Sequence, residues 1–199
     1  MTSMAWAQTD IIKVSTSVDN PEHLYTLKNG FDLMMTSYTS ITEKEANAGK
    51  FAFYAEEGKE DSYYIYNVDR KKWVSYTKAA SYSTGKSFGI LQDSREGVQP
   101  WNGVLKTIDA TKYYQFTPYT TTGLANVYMN WFGGKSQYGL DNTDYTIGLW
   151  KGDASADGGS RWVVSEVHVY TYTVVLEDGS VFFNGQQYAD GQTIAATGT

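Results

Sequence analysis

The chain has 199 residues, with 17 tyrosines, 19 glycines and only 3 prolines, and it carries a formal net charge of −6. That charge excludes an electrostatic grip on nucleic acid or an anionic membrane, and no apolar run is long enough to span a bilayer. There are no cysteines, so disulfide scaffolds, thiolate metal sites and cysteine nucleophiles are excluded as well. Sparse helix formers and abundant Tyr, Thr and Gly predict short strands joined by tight turns.

In chain order, the start "MTSMAWAQTD" contains Ala5-Trp6-Ala7 followed by Gln8. This is the A-x-A pattern of a secretory cleavage site, which places the protein outside the cell or at its surface; the alternative is a flexible N-terminus with Trp6 as a mere flank. Residues 1–20 are read as that remnant or flexible segment. "HLYTLKNGFDLMM" at 23–35 follows as strand, turn and strand. In "TEKEANAG", Thr42 with Glu45 fits a capping box and Gly49 a stop, which predicts one or two helical turns. "KFAFYAE" closes this first segment as a strand.

A second segment opens with "YYIYNVDRKKWVSY" at 63–76 and closes with "QPWNGVLKTID". A third opens with "YYQFTPYTTTGLANVYMNWF" at 113–132 and closes with "SRWVVSEV". The segments begin alike at Tyr25, Tyr64 and Tyr114, with "KNG", "NVDRKK", "STGK", "WNG", "FGG" and "ADGG" as turn chemistry. Three similar units, none able to bury its own apolar face, predict an all-β, threefold pseudo-symmetric barrel, a β-trefoil over 21–167. A β-sandwich is the competitor. From His168 the pattern changes: "YTYTVVLEDGSVFFNG" predicts a hairpin over Asp178-Gly179, and residues 168–199 are read as an appendage that begins a further domain of a larger chain. On that reading Val181, Phe182 and Phe183 exchange their amide protons faster than the core.

The segments "YMNWFGG", "TIGLW" and "GGSRWVVSEV", with Gln99-Pro100-Trp101 as a Gln-x-Trp motif, resemble ricin-type β-trefoil lectin repeats over roughly residues 23–167. "YYIYNVDRKKWVSYTKAASYSTGK" resembles the trefoil modules attached to secreted bacterial multidomain hydrolases. The resemblance implies up to three sugar pockets. Each has an early carboxylate or amide, an aromatic platform and an Asn-Gln pair before the closing Trp. In the third unit it implies Asn130 as the early polar group and Trp150 as the platform. Gly159 and Ser160 stand where Asn and Gln would be, and Asp153 and Asp157 are substitutes from the loop. The second unit offers Ser75 but only Leu91-Gln92 at the platform, and the first unit has no ring to place there.

A sugar ring packs its C–H face on an aromatic ring while its hydroxyls need fixed donors and acceptors. Tyr128, Trp131, Trp150 and Tyr138 supply rings; Asn130, Asn142, Asp153, Asp157 and Ser160 supply polar groups. Trp101 and Trp162 are expected in the core, while Trp73 and Trp131 fit either core or platform. "DASADGG" places Asp153, Ser155, Asp157 and Gly158 as a calcium loop would, but Val164 stands where the bidentate Glu belongs, so the segment reads as a solvated turn without metal. His23 and His168 belong to no zinc motif, there is no G-x-S-x-G elbow, and the carboxylates of "EEGKED" read as a surface run. No P-loop or dinucleotide fingerprint occurs, so no cofactor is expected. The expected function is a non-catalytic, glycan- or polysaccharide-binding module that targets an attached enzyme. The alternative is a protein-interaction or spacer trefoil, including an inhibitor-like one.

Overall fold

A computed structural model describes residues 9–76, 87–118, 127–131, 147–173, 180–183, 186–189 and 191–198. The N-terminal Ala5-Trp6-Ala7 pattern, Tyr138, Asn142 and the Asp178-Gly179 turn lie outside the described residues. The protein is all-β, and it divides into two compact units, up to Glu166 and from Val167 onward.

The first unit holds twelve strands: β1 (Leu24–Asn29), β2 (Met34–Met35), β3 (Ile41–Thr42), β4 (Phe51–Ala55), β5 (Ser62–Asn67), β6 (Lys72–Tyr76), β7 (Ser87–Gln92), β8 (Trp101–Ile108), β9 (Thr111–Pro118), β10 (Tyr128–Trp131), β11 (Ile147–Trp150) and the start of β12 (Trp162–Thr173). Six of them, β1, β4, β5, β8, β9 and β12, pair in that order and return to β1, which closes a barrel. Closure removes the free edges that an open sheet would present. The other six form three antiparallel hairpins, β2–β3, β6–β7 and β10–β11, each inserted between two barrel strands.

The three segments repeat in register. Tyr25 pairs with Phe51, Tyr63 with Trp101, and Tyr114 with Trp162. The opening residue of the second segment is therefore Tyr63, not Tyr64. Strand parity explains this: Tyr63 and Ile65 pack on the barrel core, while Tyr64 and Tyr66 face outward. Aromatic rings fill the bore. Phe116 stacks on Tyr114 at 5.7 Å and on Phe53 at 5.9 Å, and Phe53 meets Tyr25 and Tyr63 edge-on. The expected turn at Trp101-Asn102-Gly103 is instead continuous strand. A Cβ on Gly103 would lie 2.9 Å from the Phe116 ring, so glycine makes room for an aromatic rather than for a bend.

Trp101 and Trp162 are buried, and each indole N–H donates to a hairpin carbonyl, of Val74 at 3.2 Å and of Met129 at 3.0 Å. On the outside of the barrel a second cluster packs Ala52, Tyr54, Tyr66, Trp73 and Val98 together.

Residues 9–17 are not a loose flank. The Thr9 hydroxyl accepts from the Val164 amide at 2.9 Å, and the Asp10 amide donates to the Val164 carbonyl at 2.7 Å. The Ile12 and Lys13 amides donate to the Tyr114 and Tyr25 hydroxyls at 3.1 and 2.8 Å, and the Ser15 amide to the Phe53 carbonyl at 2.8 Å. The Glu166 carboxylate takes Lys13 Nζ at 2.8 Å and His23 Nδ1 at 2.7 Å. Ile12 is buried in the core cluster, so this segment straps strands β1, β4, β9 and β12 together. The helix expected near Glu45 is a single 3-10 turn, Glu45–Asn47, without a side-chain cap. The Thr42 hydroxyl accepts from the Lys44 amide at 3.0 Å.

In the second unit, residues 168–173 of β12 pair with β15 (Thr193–Gly198), and β13 (Ser180–Phe183) pairs with β14 (Gln186–Ala189). The hairpin expected over Asp178-Gly179 falls on residues 174–179, which lie outside the described residues. Phe183 stands directly opposite Gln186.

Candidate functional site

The β10–β11 hairpin sorts its side chains by parity. Met129 pairs with Leu149 and Trp131 with Ile147, and all four are buried core residues. Tyr128 pairs with Trp150 and Asn130 with Gly148 on the opposite face. Trp131 therefore belongs to the core, edge-on to Phe31 at 5.9 Å, and does not join a surface platform.

Asn130 and Ser160 are both 0 % exposed. Asn130 Nδ2 donates to Ser160 Oγ at 2.8 Å and to Asp157 Oδ2 at 3.1 Å, and Ser160 Oγ donates to the Gly152 carbonyl. Asp157 Oδ1 accepts from the Gly159 amide at 2.7 Å. These groups hold the 151–161 loop down on β10. Gly159 is required there, because a Cβ would sit 2.6 Å from the Trp131 carbonyl. A ligand has no access to Asn130 or Ser160, so their role is to fix the loop.

Two further residues pin the same loop, and the sequence gives no sign of either. Gln115 on β9 accepts from the Ala154 amide at 2.8 Å, and Arg161 Nε donates to the Ala154 carbonyl at 2.6 Å. Asp153 Oδ1 accepts from the amides of Ser155 at 2.9 Å and Ala156 at 3.2 Å. The two loop carboxylates thus face separate local partners, and among the described residues no three acidic or histidine side chains converge as a metal site would. "DASADGG" is a tightly bonded turn between two core strands.

What remains toward solvent is Trp150, 38 % exposed, with the half-buried Tyr128 opposite it. Asp153 lies close enough that its charge, after burial, helps to raise the Tyr128 phenol above its ordinary value. The Ser155 hydroxyl holds the Asp153 carboxyl below the usual carboxylate range, and the charge of Lys106 adds to this. Tyr128 and Trp150 thus stand opposite each other, and Asp153 follows Trp150 by three residues in the chain.

The other hairpins put different residues at these positions. Trp73 pairs with Gln92 as Tyr128 does with Trp150, and Met34 pairs with Thr42. Trp73 is only 4 % exposed, and the Arg95 guanidinium lies over the Tyr64 ring at 4.2 Å and 5.8 Å from the Trp73 ring. No protein-family model matches the chain, and no curated protein matches it.

Proposed function

We propose that the protein is a β-trefoil of the ricin-B-like type and a non-catalytic carbohydrate-binding module, acting outside the cell to bring an attached enzyme to a glycan. What supports the trefoil reading is the sixfold closed barrel with one hairpin inserted in each of three registered repeats. The observation that carries the binding reading is the Tyr128–Trp150 pair, Trp150 exposed and Tyr128 half-buried opposite it, with Asp153 three residues beyond Trp150 in the chain. A sugar's C–H face gains by leaving water on such a ring, and the carboxylate accepts from its hydroxyls. Only the third repeat carries an exposed ring at this position, so the module holds one such site.

The test is tryptophan fluorescence during titration with neutral and amino oligosaccharides, wild type against Trp150→Ala. A saturable shift that disappears in the variant supports the reading; no shift with any sugar removes it. The second reading, a spacer or protein-interaction trefoil, is favoured by the burial of Asn130 and Ser160, which leaves fewer polar groups for a sugar than the resemblance implies.

A further inference from the structure

Residues 9–15 lie in a groove that strands β1, β4, β9 and β12 build. The Asp10 amide donates to the Val164 carbonyl at 2.7 Å and the Ser15 amide to the Phe53 carbonyl at 2.8 Å. Between them the Tyr114 and Tyr25 hydroxyls accept from the Ile12 and Lys13 amides at 3.1 and 2.8 Å. These tyrosines pair with Trp162 and Phe51, so the barrel fixes where they stand whether or not a segment lies on them. Two side chains make the fit selective. Ile12 enters the core cluster, and Lys13 Nζ meets the Glu166 carboxylate at 2.8 Å. Ile11 and Val14 are 72 % and 38 % exposed, so Ile12 is the segment's one buried apolar anchor.

A segment held by one apolar side chain and backbone hydrogen bonds opens more readily than a closed aromatic barrel, because each such bond replaces one to water and nets little. Its link to β1, residues 16–22, is folded back by Glu22. That carboxylate accepts from the Thr16 amide at 2.8 Å and the Thr16 hydroxyl at 2.6 Å, both at the surface. Opening this turn releases the strap without disturbing the barrel core.

We propose that the groove is an exchange site, and that its second occupant is residues 9–15 of another copy of this chain. Reciprocal exchange remakes the same bonds about a twofold axis and closes the assembly at a dimer. A link this short holds the strap near its own groove at an effective concentration of about millimolar. Dilute chains therefore keep their own strap, and crowded chains exchange. The dimer carries two Trp150 faces, which favours a repeating ligand, but the exchange stands without the carbohydrate reading.

The experiment is sedimentation of the whole wild-type chain from about 10 µM to about 1 mM, where a dimer is expected to grow from a trace to a substantial fraction. Lys13→Glu and Glu166→Lys are then mixed. Each variant alone sets like charges at strap and groove, whereas in the mixture each strap meets the opposite charge only in the other chain's groove. By native mass spectrometry the heterodimer is expected to exceed either homodimer about tenfold or more at low salt, with the preference shrinking as salt rises. Adding Ile12→Ser to both chains is expected to remove the heterodimer while amide exchange at Ile65 in the barrel stays slow. Absence of wild-type dimer at the highest concentration overturns the inference. So does a mixture that pairs at random, or a heterodimer that survives Ile12→Ser, because another surface then holds the two copies.

Discussion

Hairpins two and three are built alike and finished differently. In both, an indole from the closing strand donates to the carbonyl of the hairpin's central core residue, Val74 or Met129. Inward positions are apolar in both, because the shared barrel core admits nothing else. On the outward face the two diverge. In hairpin two Arg95 lies over Tyr64 and near the buried Trp73, and in hairpin three Trp150 is 38 % exposed. Burial dictates one parity of each strand and leaves the other free to vary, so chemistry distinct to one repeat accumulates on outward positions.

The strongest test of the likeness is the pair of closing tryptophans. Trp101→Ala and Trp162→Ala are each expected to cost about 3–5 kcal/mol of stability, measured by denaturant unfolding. A cost confined to one of them breaks the equivalence of the two hairpins. Next, Asn130→Ala strips Asp157 and Ser160 of their shared donor and is expected to cost about 1–3 kcal/mol. The same variant loosens the 151–161 loop, read as faster amide exchange at Gly159. Arg95→Ala is expected to cost only about 0.5–1 kcal/mol. Its sharper readout is acrylamide quenching in a Trp150→Phe background, where Trp73 becomes newly accessible; unchanged quenching means that Arg95 covers nothing.

The smallest effect is with pH. Asp153 titrates in the folded protein below its ordinary value of 3.8. The stabilisation it gives is therefore complete above that ordinary value and is lost as pH falls through the lower, folded one. Asp153→Asn flattens this slice of the acid profile.

Much of the barrel is legible in the sequence. Alternation in "YYIYNV" and "RWVVSEV" places strands, and the closing aromatics Phe51, Trp101 and Trp162 mark where each repeat turns inward. The site is less legible. Asn130 reads as a polar group on a surface strand, yet it is buried, since its partners Asp157 and Ser160 come from a loop distant in sequence. Trp131 shares its parity with Met129, and counting by two from that core residue would have placed it inside. The strap at 9–17 has no periodic pattern to read, because its backbone amides do most of the bonding.

The strap also sets an order of assembly. Thr9 bonds to Val164, 155 residues later in the chain, and Asp10 to Glu166. During synthesis Thr9 and Asp10 must wait for these partners until almost the whole of the first unit has left the ribosome. A barrel whose earliest segment is locked by its latest strand depends for closure on contacts of large sequence separation, which form slowly. A chaperone that shields the nascent β1–β4 region is most useful in that interval, and an arrested chain lacking β12 is a ready protease substrate.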